Sequence, residues 1–185
     1  MPTPHGPWST VSRRHVFAGG PLKDVSVETV RLPGGRLVDD YYTVRMADFA
    51  LVYARTNEGQ VLMLRQYRHG PRRVCLTFPG GHLESSEPAT AAARRELLEE
   101  TGYEAERWSD LGSYVTNANQ GCSTAYFFRA DGCTRVRDPG SQDLEAAELL
   151  LVPEGELLRP GRLEEIGLTS HVALLAIATH PHLRA

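Results

Sequence analysis

The feature of this chain that most constrains its fold is a charged segment without helix breakers, which lies between a glycine turn and a single glycine. Residues 89–100 contain neither glycine nor proline and are rich in residues of high helix propensity. A Pro-Gly-Gly turn at residues 79–81 precedes the segment, and Gly102 follows it at the position where a helix commonly ends. We therefore predict a helix with Ser85 or Ser86 as its N-cap, Glu87 and Pro88 in its first turn and residues 89–100 as its body.

One stripe of this predicted helix combines carboxylates with small residues. At about 100° per residue, Glu96, Glu99 and Glu100 cover roughly a quarter of the helix circumference. Toward the N-terminus the same stripe continues as alanines, namely Ala89, Ala92 and Ala93. Because small side chains allow a helix to approach its neighbour closely, we expect the stripe to face protein and its carboxylates to lie at the mouth of a cleft.

The carboxylates have two interpretations. A solvated acidic face with an Arg95–Glu99 ion pair accounts for the charges, but not for the alanines, for the turn at residues 79–81 or for the position of Glu87. Carboxylates within one helical turn also repel each other unless a cation neutralises them. Oxygen ligands at this density suit Mg²⁺ or Mn²⁺, which share the phosphate oxygens of a substrate. We therefore favour a metal site over a solvated face.

The whole span from Gly81 to Tyr103 reads G-x5-E-x7-R-E-L-x-E-E-x-G-Y. It resembles the Nudix box, G-x5-E-x7-R-E-U-x-E-E-x-G-U with U bulky and apolar, at every fixed position, and only Tyr103 is slightly unusual. The resemblance implies an α/β fold, a Nudix-like α/β/α sandwich with a mixed β-sheet. It also implies a loop–helix–loop that holds divalent cations against a nucleoside diphosphate linked to another group, X.

The resemblance further implies roles for the residues of the box. Glu96 and Glu100 would ligate the metal directly, Glu99 would ligate it or lie one shell out, and the carbonyl of Gly80 would supply a further oxygen. An orienting pair, Arg95 with Glu87, would fix the glutamates without touching the substrate, which meets the general need to hold metal ligands rigidly.

Two segments outside the box point to a subgroup. Residues 65–70 read R-Q-Y-R-H-G and end a predicted strand; alone they are as typical of an edge strand with solvated arginines. They are similar to the R-Q-Y-R sequence of Nudix enzymes that cleave ADP-ribose and related ADP-sugars, and residues 39–42 resemble the D-Y-Y pattern of that subgroup. In that subgroup the arginines contact phosphate or pair with the glutamates of the box, and guanidinium groups suit both tasks. The likeness therefore makes Arg65, Arg68 and Asp40 candidates for binding the substrate.

An acidic loop at residues 143–148 precedes a predicted strand. By itself it is typical of a polar turn. In the resembled subgroup a similar loop supplies a glutamate that acts as general base or as a further metal ligand. Glu145 has the better position in that comparison, and Glu148 is the next candidate.

One departure concerns the substrate. Many ADP-ribose pyrophosphatases carry a proline beyond the box, near the adenosine end of the substrate, whereas residues 116–122 here contain none. The departure leaves other nucleotide sugars open beside ADP-ribose. Polar side chains in this loop, among them Gln120, are candidate contacts to sugar or base, although a polar loop needs no ligand to explain it.

The rest of the chain is predicted to be mostly strand. In chain order we expect strands over residues 25–31, 36–44, 48–54, 60–67, 106–115, 124–130 and 148–152, and a final helix over residues 168–178 capped by Thr169 or Ser170. Short glycine-containing turns join the first four strands into two hairpins. We interpret residues 1–20 as a loosely structured arm and residues 21–185 as one domain, a mixed sheet flanked by helices.

Composition excludes several other classes of function. A net charge of −3 and a pI of about 6.2 give no basic field for nucleic acid. No apolar run reaches membrane-spanning length, and the N-terminus lacks the apolar core of a signal peptide. The unpatterned cysteines suit reduced thiols. We expect a cytoplasmic protein that binds neither membrane nor nucleic acid and, by similarity to the subgroup, a homodimer.

Together these features predict metal-dependent hydrolysis of the diphosphate bridge in a nucleoside diphosphate linked to X. For ADP-ribose the products would be AMP and ribose 5-phosphate. The expected cofactor is Mg²⁺, or else Mn²⁺, and the expected catalytic residues are Arg95, Glu99, Glu100 and Glu145. Two alternatives remain open: a Nudix hydrolase acting on (d)NTPs, and a non-catalytic module that binds a nucleotide sugar. The histidines in or after the final helix, His171 among them, are interpreted as uninvolved.

Overall fold

A computed structural model describes residues 6–19, 24–140, 147–180 and 182 of the chain. The chain divides into two compact units. Unit 1 comprises residues 1–47 and 115–124, and unit 2 comprises residues 48–114 and 125–185. The predicted division into an arm and one domain stays a prediction.

Unit 1 contains an antiparallel sheet. Its strands are β1 (Ser9–Ala18), β2 (Asp24–Arg31) and β3 (Leu37–Arg45), and β2 lies between the other two. The predicted hairpin over residues 25–44 is therefore confirmed.

The interpretation of residues 9–18 as loosely structured is wrong, since they form β1. The buried carboxylate of Glu28 on β2 explains the pairing. It accepts hydrogen bonds from Thr10 Oγ1 at 2.9 Å and Arg13 Nε at 2.8 Å, both on β1. A buried carboxylate needs such partners, and the pairing of β1 with β2 supplies them here.

Unit 2 is built on a mixed sheet. Its strands are β4 (Phe49–Thr56), β5 (Gln60–Arg68), β6 (Arg73–Thr77), β7 (Gly80–His82), β8 (Tyr103–Val115), β9 (Thr124–Arg135) and β10 (Glu148–Pro153). Within the described residues the strand order is β10-β5-β4-β9-β8, with β6 beside β5 and β7 beside β4. Strand β4 is parallel to β9 and antiparallel to β5 and β7, and β5 is antiparallel to β6 and β10. The helices are α1 (Ala89–Thr101), α2 (Glu154–Leu157), α3 (Arg162–Ile166) and α4 (Thr169–Thr179).

Strand β4 shows why unit 2 has helices on both faces of its sheet. Its residues alternate between two cores, as the two-residue period of a strand requires. Leu51 and Tyr53 pack in a core that includes residues of α2, α3 and α4. Ala50 and Val52 pack in a second core, which includes residues of α1. The predicted α/β/α sandwich with a mixed sheet is thus confirmed.

Helix α1 confirms the predicted alanine stripe but not its predicted start. Ala92 and Ala93 are completely buried in the second core, so the stripe does face the sheet. Pro88, not Ser85 or Ser86, is the N-cap, and its carbonyl accepts the N–H of Ala91 at 2.8 Å. Proline has its φ fixed near the value found here, −62°, which favours a helix beginning directly after it.

The ends of the other elements show further differences. Gly102 ends α1 in the left-handed conformation, with φ 74°, as predicted. Leu168 is the N-cap of α4, so the predicted Thr169 or Ser170 cap is wrong. The turn predicted at residues 79–81 continues into the short strand β7. The prediction also missed β6, α2 and α3, which are too short to show a hydrophobic period.

Candidate active site

The residues of the charged motif meet at a cleft of about 550 Å³ in unit 2. Helix α1 contributes Arg95, Glu96 and Glu100 to its lining. Other lining residues come from elsewhere in the unit, namely Arg68 at the end of β5, Gly80 and Gly81 on β7, and Ser170 and His171 in the first turn of α4. The cleft thus combines segments from both sides of the sheet.

The two glycines on β7 allow the carboxylates of α1 to reach the strand. The N–H of Gly80 donates a hydrogen bond to Glu100 Oε2 at 2.7 Å. Gly80 has φ 148°, and a Cβ there would collide with the carbonyl oxygen of Ala50. A Cβ on Gly81 would lie 2.5 Å from Glu96 Oε1. Larger residues would therefore push either the strand or the carboxylates away.

Arg95 joins Glu87, Glu96 and Glu99 of the motif in one network. Its Nε and Nη2 donate to the two carboxylate oxygens of Glu87, each at 3.0 Å. Its Nη1 donates to Glu96 Oε1 at 2.8 Å and to Glu99 Oε2 at 3.1 Å. Nη2 also donates to the carbonyl of His82 at 3.1 Å. Several fixed bonds of this kind set the orientation of a planar guanidinium and of the carboxylates that it touches.

The hydrogen bonds between Arg95 and Glu87 hold both of these groups in their charged forms. The hydrogen bond from Arg95 is the main cause that lowers the pKa of Glu87 below its usual value. Conversely, hydrogen bonds to Glu87 and then to Glu96 raise the pKa of Arg95 above its usual value, although partial burial opposes this. Glu87 and Arg95 therefore stay ionised at neutral pH.

The three carboxylates near the end of α1 differ in exposure. The side chain of Glu96 is 14% exposed and that of Glu99 is 42% exposed, while Glu100 is buried. Glu96 and Glu100 line the cleft. Their roles as metal ligands, with Glu99 and the Gly80 carbonyl, stay a prediction.

The chemistry of the side chains in the cleft shows whether a divalent cation fits this site. Within residues 6–19, 24–140, 147–180 and 182, no three His, Cys, Asp or Glu side chains are arranged as a ready cation site. Glu96 is paired with Arg95, and Glu100 accepts the N–H of Gly80. The donor groups are nevertheless carboxylates that share one cleft, the ligand type that hard divalent cations prefer. The donor set fits such a cation once Glu96 turns from Arg95.

The two arginines predicted to bind substrate lie in different places. Arg68 lines the cleft. Arg65 lies outside the described lining of the cleft, and its Nη1 pairs with Glu148 Oε2 at 3.1 Å. Both partners of that pair are more than half exposed. Residues 65 and 68 differ by an odd number along β5 and so point to opposite faces. Substrate binding by Arg65 stays a prediction without support from its position.

Three further predicted residues cannot be placed in the cleft. Glu145 lies outside the described residues. Asp40, on β3, and Gln120 belong to unit 1. The backbone of Gln120 is held there, since its N–H donates to Asn117 Oδ1 at 2.9 Å and its carbonyl accepts the N–H of Val44. The proposed roles of Glu145, Asp40 and Gln120 stay predictions.

The segment that precedes the acidic loop is fixed to the end of α1. The N–H of Gly140 donates to the Glu99 carbonyl at 2.8 Å, and the N–H of Val136 donates to the Gly102 carbonyl at 2.9 Å. A Cβ on Gly102 would collide with the carbonyl of Arg137. The glycine that closes the motif therefore also makes room for residues 136–140.

The sequence interpretation missed His171, which lies in the cleft. The residue is 6% exposed, and its Nδ1 accepts a hydrogen bond from the N–H of Phe78 at 3.0 Å. Burial, with a smaller effect from the charge of Arg68, lowers the pKa of His171 to about 3. The sequence did contain a signal, since His171 is the one histidine in the predicted final helix, which is otherwise mostly apolar. Nothing in the sequence, however, connects this histidine with the charged motif.

Comparisons with known proteins agree with this geometry. Residues 44–172 match the family model described as NUDIX domain. The chain is 29% identical to the ADP-ribose pyrophosphatase of Bacillus subtilis (strain 168) over 145 residues, which cover 78% of this chain and 76% of the relative. It is 32% identical to the CMP-5'-(N-acetyl-N-hydroxy-3-aminopropyl)phosphonate hydrolase of Streptomyces rubellomurinus (strain ATCC 31215) over 156 residues, covering 83% and 74%.

A solved structure described as that of an ADP compounds hydrolase has the same fold, with a TM-score of 0.76 over 92% of this chain and 91% of that one, at 17% identity. The chain belongs to the Nudix family. It is a pyrophosphohydrolase of that family, which generally requires divalent metal ions, and it resembles the ADP-ribose and ADP-sugar pyrophosphatases as the sequence predicted. Among the described residues, the helices are too short or too polar to cross a membrane.

Proposed function

We propose that this pyrophosphohydrolase cleaves the diphosphate bridge of ADP-ribose or of another nucleotide sugar, giving a nucleoside monophosphate and a sugar phosphate. The observation that carries the proposal is the cleft of unit 2, in which the carboxylates of Glu96 and Glu100 share a lining with the guanidinium of Arg68. Such a site offers carboxylates to cations and a positive charge to phosphate. The name of the B. subtilis relative supports the choice of ADP-ribose.

The proposed cofactor is Mg²⁺, with Mn²⁺ as a substitute. Glu96, Glu99 and Glu100, with the carbonyl of Gly80, would hold it. A divalent cation at such a site withdraws charge from phosphate oxygens and makes a bound water more acidic. Arg95 acts through the carboxylates, because its hydrogen bonds fix both Glu96 and Glu99.

The proposed reaction is attack by water on one phosphorus of the bridge. The water oxygen forms a bond to that phosphorus, the bond from phosphorus to the bridging oxygen breaks, and the bridging oxygen leaves on the other phosphate. The proton of the water passes to a general base, for which Glu145 is the first candidate and a glutamate of the motif is the second. Arg68 would stabilise the negative charge that accumulates on phosphate oxygens.

Product analysis tests the proposal. The purified chain is incubated with Mg²⁺ and a panel of ADP-ribose, other ADP-sugars, CMP-linked compounds and (d)NTPs, and the phosphorus-containing products are identified by ³¹P NMR. The proposal expects AMP and ribose 5-phosphate from ADP-ribose, or the matching pair from another nucleotide sugar. Turnover of (d)NTPs alone would replace the proposed substrate class.

Two other functions are a hydrolase of cytidine nucleotides and a binding module without catalytic activity. The S. rubellomurinus relative is named as a hydrolase of a CMP-linked phosphonate, so cytidine nucleotides belong in the panel. A non-catalytic binding module is disfavoured because the chain keeps Glu96, Glu99 and Glu100. Tight binding without turnover in either Mg²⁺ or Mn²⁺ would favour that alternative.

A homodimer formed through the N-terminal strands is part of the proposal. Strand β1 is at an edge of its sheet and carries the exposed apolar side chains Val11, Val16 and Phe17. Exposed apolar residues on an edge strand favour association with another chain. Light scattering after gel filtration should give twice the mass of the chain, and a monomer mass at all concentrations would contradict it. A cytoplasmic location stays a prediction from the sequence.

A further inference from the structure

The cleft has two walls of different chemistry. We call Arg95, Glu96 and Glu100 the α1 wall, and Arg68, Ser170 and His171 the α4 wall. The α1 wall carries two carboxylates and consists of residues of the charged motif. The α4 wall contains the guanidinium of Arg68 and the buried imidazole of His171, and the proposed reaction assigns no task to that imidazole.

The structure fixes the protonation of the His171 ring. The backbone N–H of Phe78 can only donate, so Nδ1, which receives its hydrogen bond at 3.0 Å, carries no proton. The ring is also held in place by stacking on the ring of Phe78, with 9° between the planes and 6.1 Å between the centroids. Burial and the charge of Arg68 keep the ring neutral, with a pKa of about 3. A neutral imidazole has one proton, which must then be on Nε2.

An Nε2–H at this place suits an anionic oxygen. Within the described part of the chain, Phe78 is the hydrogen-bonding partner that the ring has, and the ring lines the cleft. A buried donor gains most from an acceptor that enters the site. The first turn of α4, which begins at Thr169, contributes Ser170 and His171 to the same wall, and a helix N-terminus favours negative charge.

We propose that His171 is a substrate-binding residue whose Nε2–H donates a hydrogen bond to a phosphate oxygen of the bound nucleotide, beside Arg68. The inference rests on the proposed function, because it takes the ligand of the cleft to contain a diphosphate. The α1 wall would then bind the cation side of the diphosphate, while the α4 wall binds its free oxygens.

The competing explanation is structural, namely that His171 exists only to accept the Phe78 N–H. Two substitutions separate the roles, because each one replaces a different hydrogen-bonding nitrogen of the imidazole with an equivalent amide group. His171→Asn places an amide oxygen near the position of Nδ1 and can still accept from Phe78, but it lacks a donor at the position of Nε2. His171→Gln places an amide NH₂ near the position of Nε2 and loses the acceptor for Phe78.

The experiment measures nucleotide binding and thermal unfolding for the wild type and both variants. The probe is α,β-methylene-ADP, whose diphosphate bridge cannot be hydrolysed, titrated calorimetrically in Mg²⁺. Because hydrogen bonds to charged groups are strong, we expect His171→Asn to bind about tenfold more weakly with little loss of Tm. We expect His171→Gln to bind within about threefold of the wild type but to unfold at a lower temperature. KM for the hydrolysed substrate should follow the binding results.

Binding of the probe by His171→Asn at wild-type affinity would overturn the inference, and so would weaker binding by His171→Gln than by His171→Asn. If either variant does not fold, ¹⁵N NMR of the wild type decides the matter. The His171 Nε2–H signal should be present and should shift when inorganic pyrophosphate is added, whereas an unchanged signal contradicts the inference. A wild type that binds the probe but hydrolyses no nucleotide sugar would contradict the proposed function alone.

Discussion

The two walls of the cleft are encoded in different ways. The α1 wall comes from one continuous motif, in which Glu87, Arg95 and Glu96 are joined by hydrogen bonds over a short stretch of chain. The α4 wall is assembled from distant segments, since His171 accepts the N–H of Phe78, 93 residues away in sequence. The comparison teaches that a sequence motif reveals the residues of a site only where those residues are close together in the sequence.

The walls also differ in how they hold charge. On the α1 wall, Arg95 and Glu96 neutralise each other and remain partly exposed, so they can exchange partners when a cation binds. On the α4 wall, burial keeps His171 neutral, so this residue contributes hydrogen bonds and no charge. Removing a group from the first wall should therefore affect catalysis, and changing the second should affect binding and stability.

The largest expected effect is that of Glu100→Gln. The substitution keeps the size of the side chain and an oxygen that can accept from Gly80, but it removes the negative charge proposed to bind the cation. We expect kcat to fall by about 10²–10³-fold, the cost typical of losing one strong electrostatic contact in a transition state. Steady-state kinetics with excess Mg²⁺ measures it. Exposed Glu104, just beyond the helix, gives the matched control Glu104→Gln, which should keep wild-type activity.

The next effect tests the approach of β7 to the α1 wall. A Cβ at residue 81 would lie 2.5 Å from Glu96 Oε1, so Gly81→Ala should displace that carboxylate. We expect activity to fall by about 10–100-fold, with a modest change in Tm, since misplaced ligands cost roughly this much. Gly34→Ala, at a position where a Cβ meets nothing within 4 Å, is the control. Full activity of Gly81→Ala would show that Glu96 is not needed where the structure places it.

A smaller effect is expected for Arg95→Lys. Lysine keeps the charge but cannot bond Glu87, Glu96 and Glu99 together as the guanidinium does. We expect about a tenfold rise in the Mg²⁺ concentration that gives half-maximal rate, because orienting partners affect metal affinity by about that factor. Arg94→Lys changes the neighbouring arginine, which stacks on Trp108, and should leave the Mg²⁺ dependence unchanged. If the rate depends on Mg²⁺ concentration in the same way for both variants, Arg95 does not orient the metal ligands.

The last prediction concerns the pH dependence of stability on the α4 wall. The folded-state pKa of His171, about 3, lies below the ordinary value of 6.5, so the unfolded chain takes up a proton first as pH falls. The stability linked to this group is therefore complete above pH 6.5 and is lost between pH 6.5 and 3, with a slope of up to about 1.4 kcal/mol per pH unit. The free energy of unfolding of His171→Asn, measured in urea, should depend less on pH in that range. Parallel curves would show that the pKa of His171 is the same in the folded and the unfolded chain.

The sequence was sufficient where local rules act. The motif helix, both hairpins and the sandwich followed from periodicity, from turn residues and from the Nudix likeness, and Ala92 and Ala93 are buried as expected. The start of α1 was misplaced because Pro88 fixes it, although Ser85 and Ser86 have the better capping side chains. Strand β1 was missed because the reason for it, the buried Glu28, is on another strand.

The site was predictable to a similar extent. Glu96, Glu100 and Arg95 meet in the cleft because one helix carries them, and Arg68 joins them from the end of β5. Arg65 does not, since the alternation of β5 turns it toward Glu148. His171 could not be found, because no local pattern shows that α4 begins at the same cleft as β7.

The central claim is that the carboxylates of Glu96 and Glu100 bind a divalent cation beside a diphosphate. A crystal structure with Mn²⁺ and α,β-methylene-ADP tests it most directly, because manganese is located by its anomalous scattering. The account predicts an anomalous peak within coordination distance of both carboxylates and of a phosphate oxygen. A nucleotide bound in the cleft while both glutamates remain paired as they are here, with Mn²⁺ elsewhere, would contradict it.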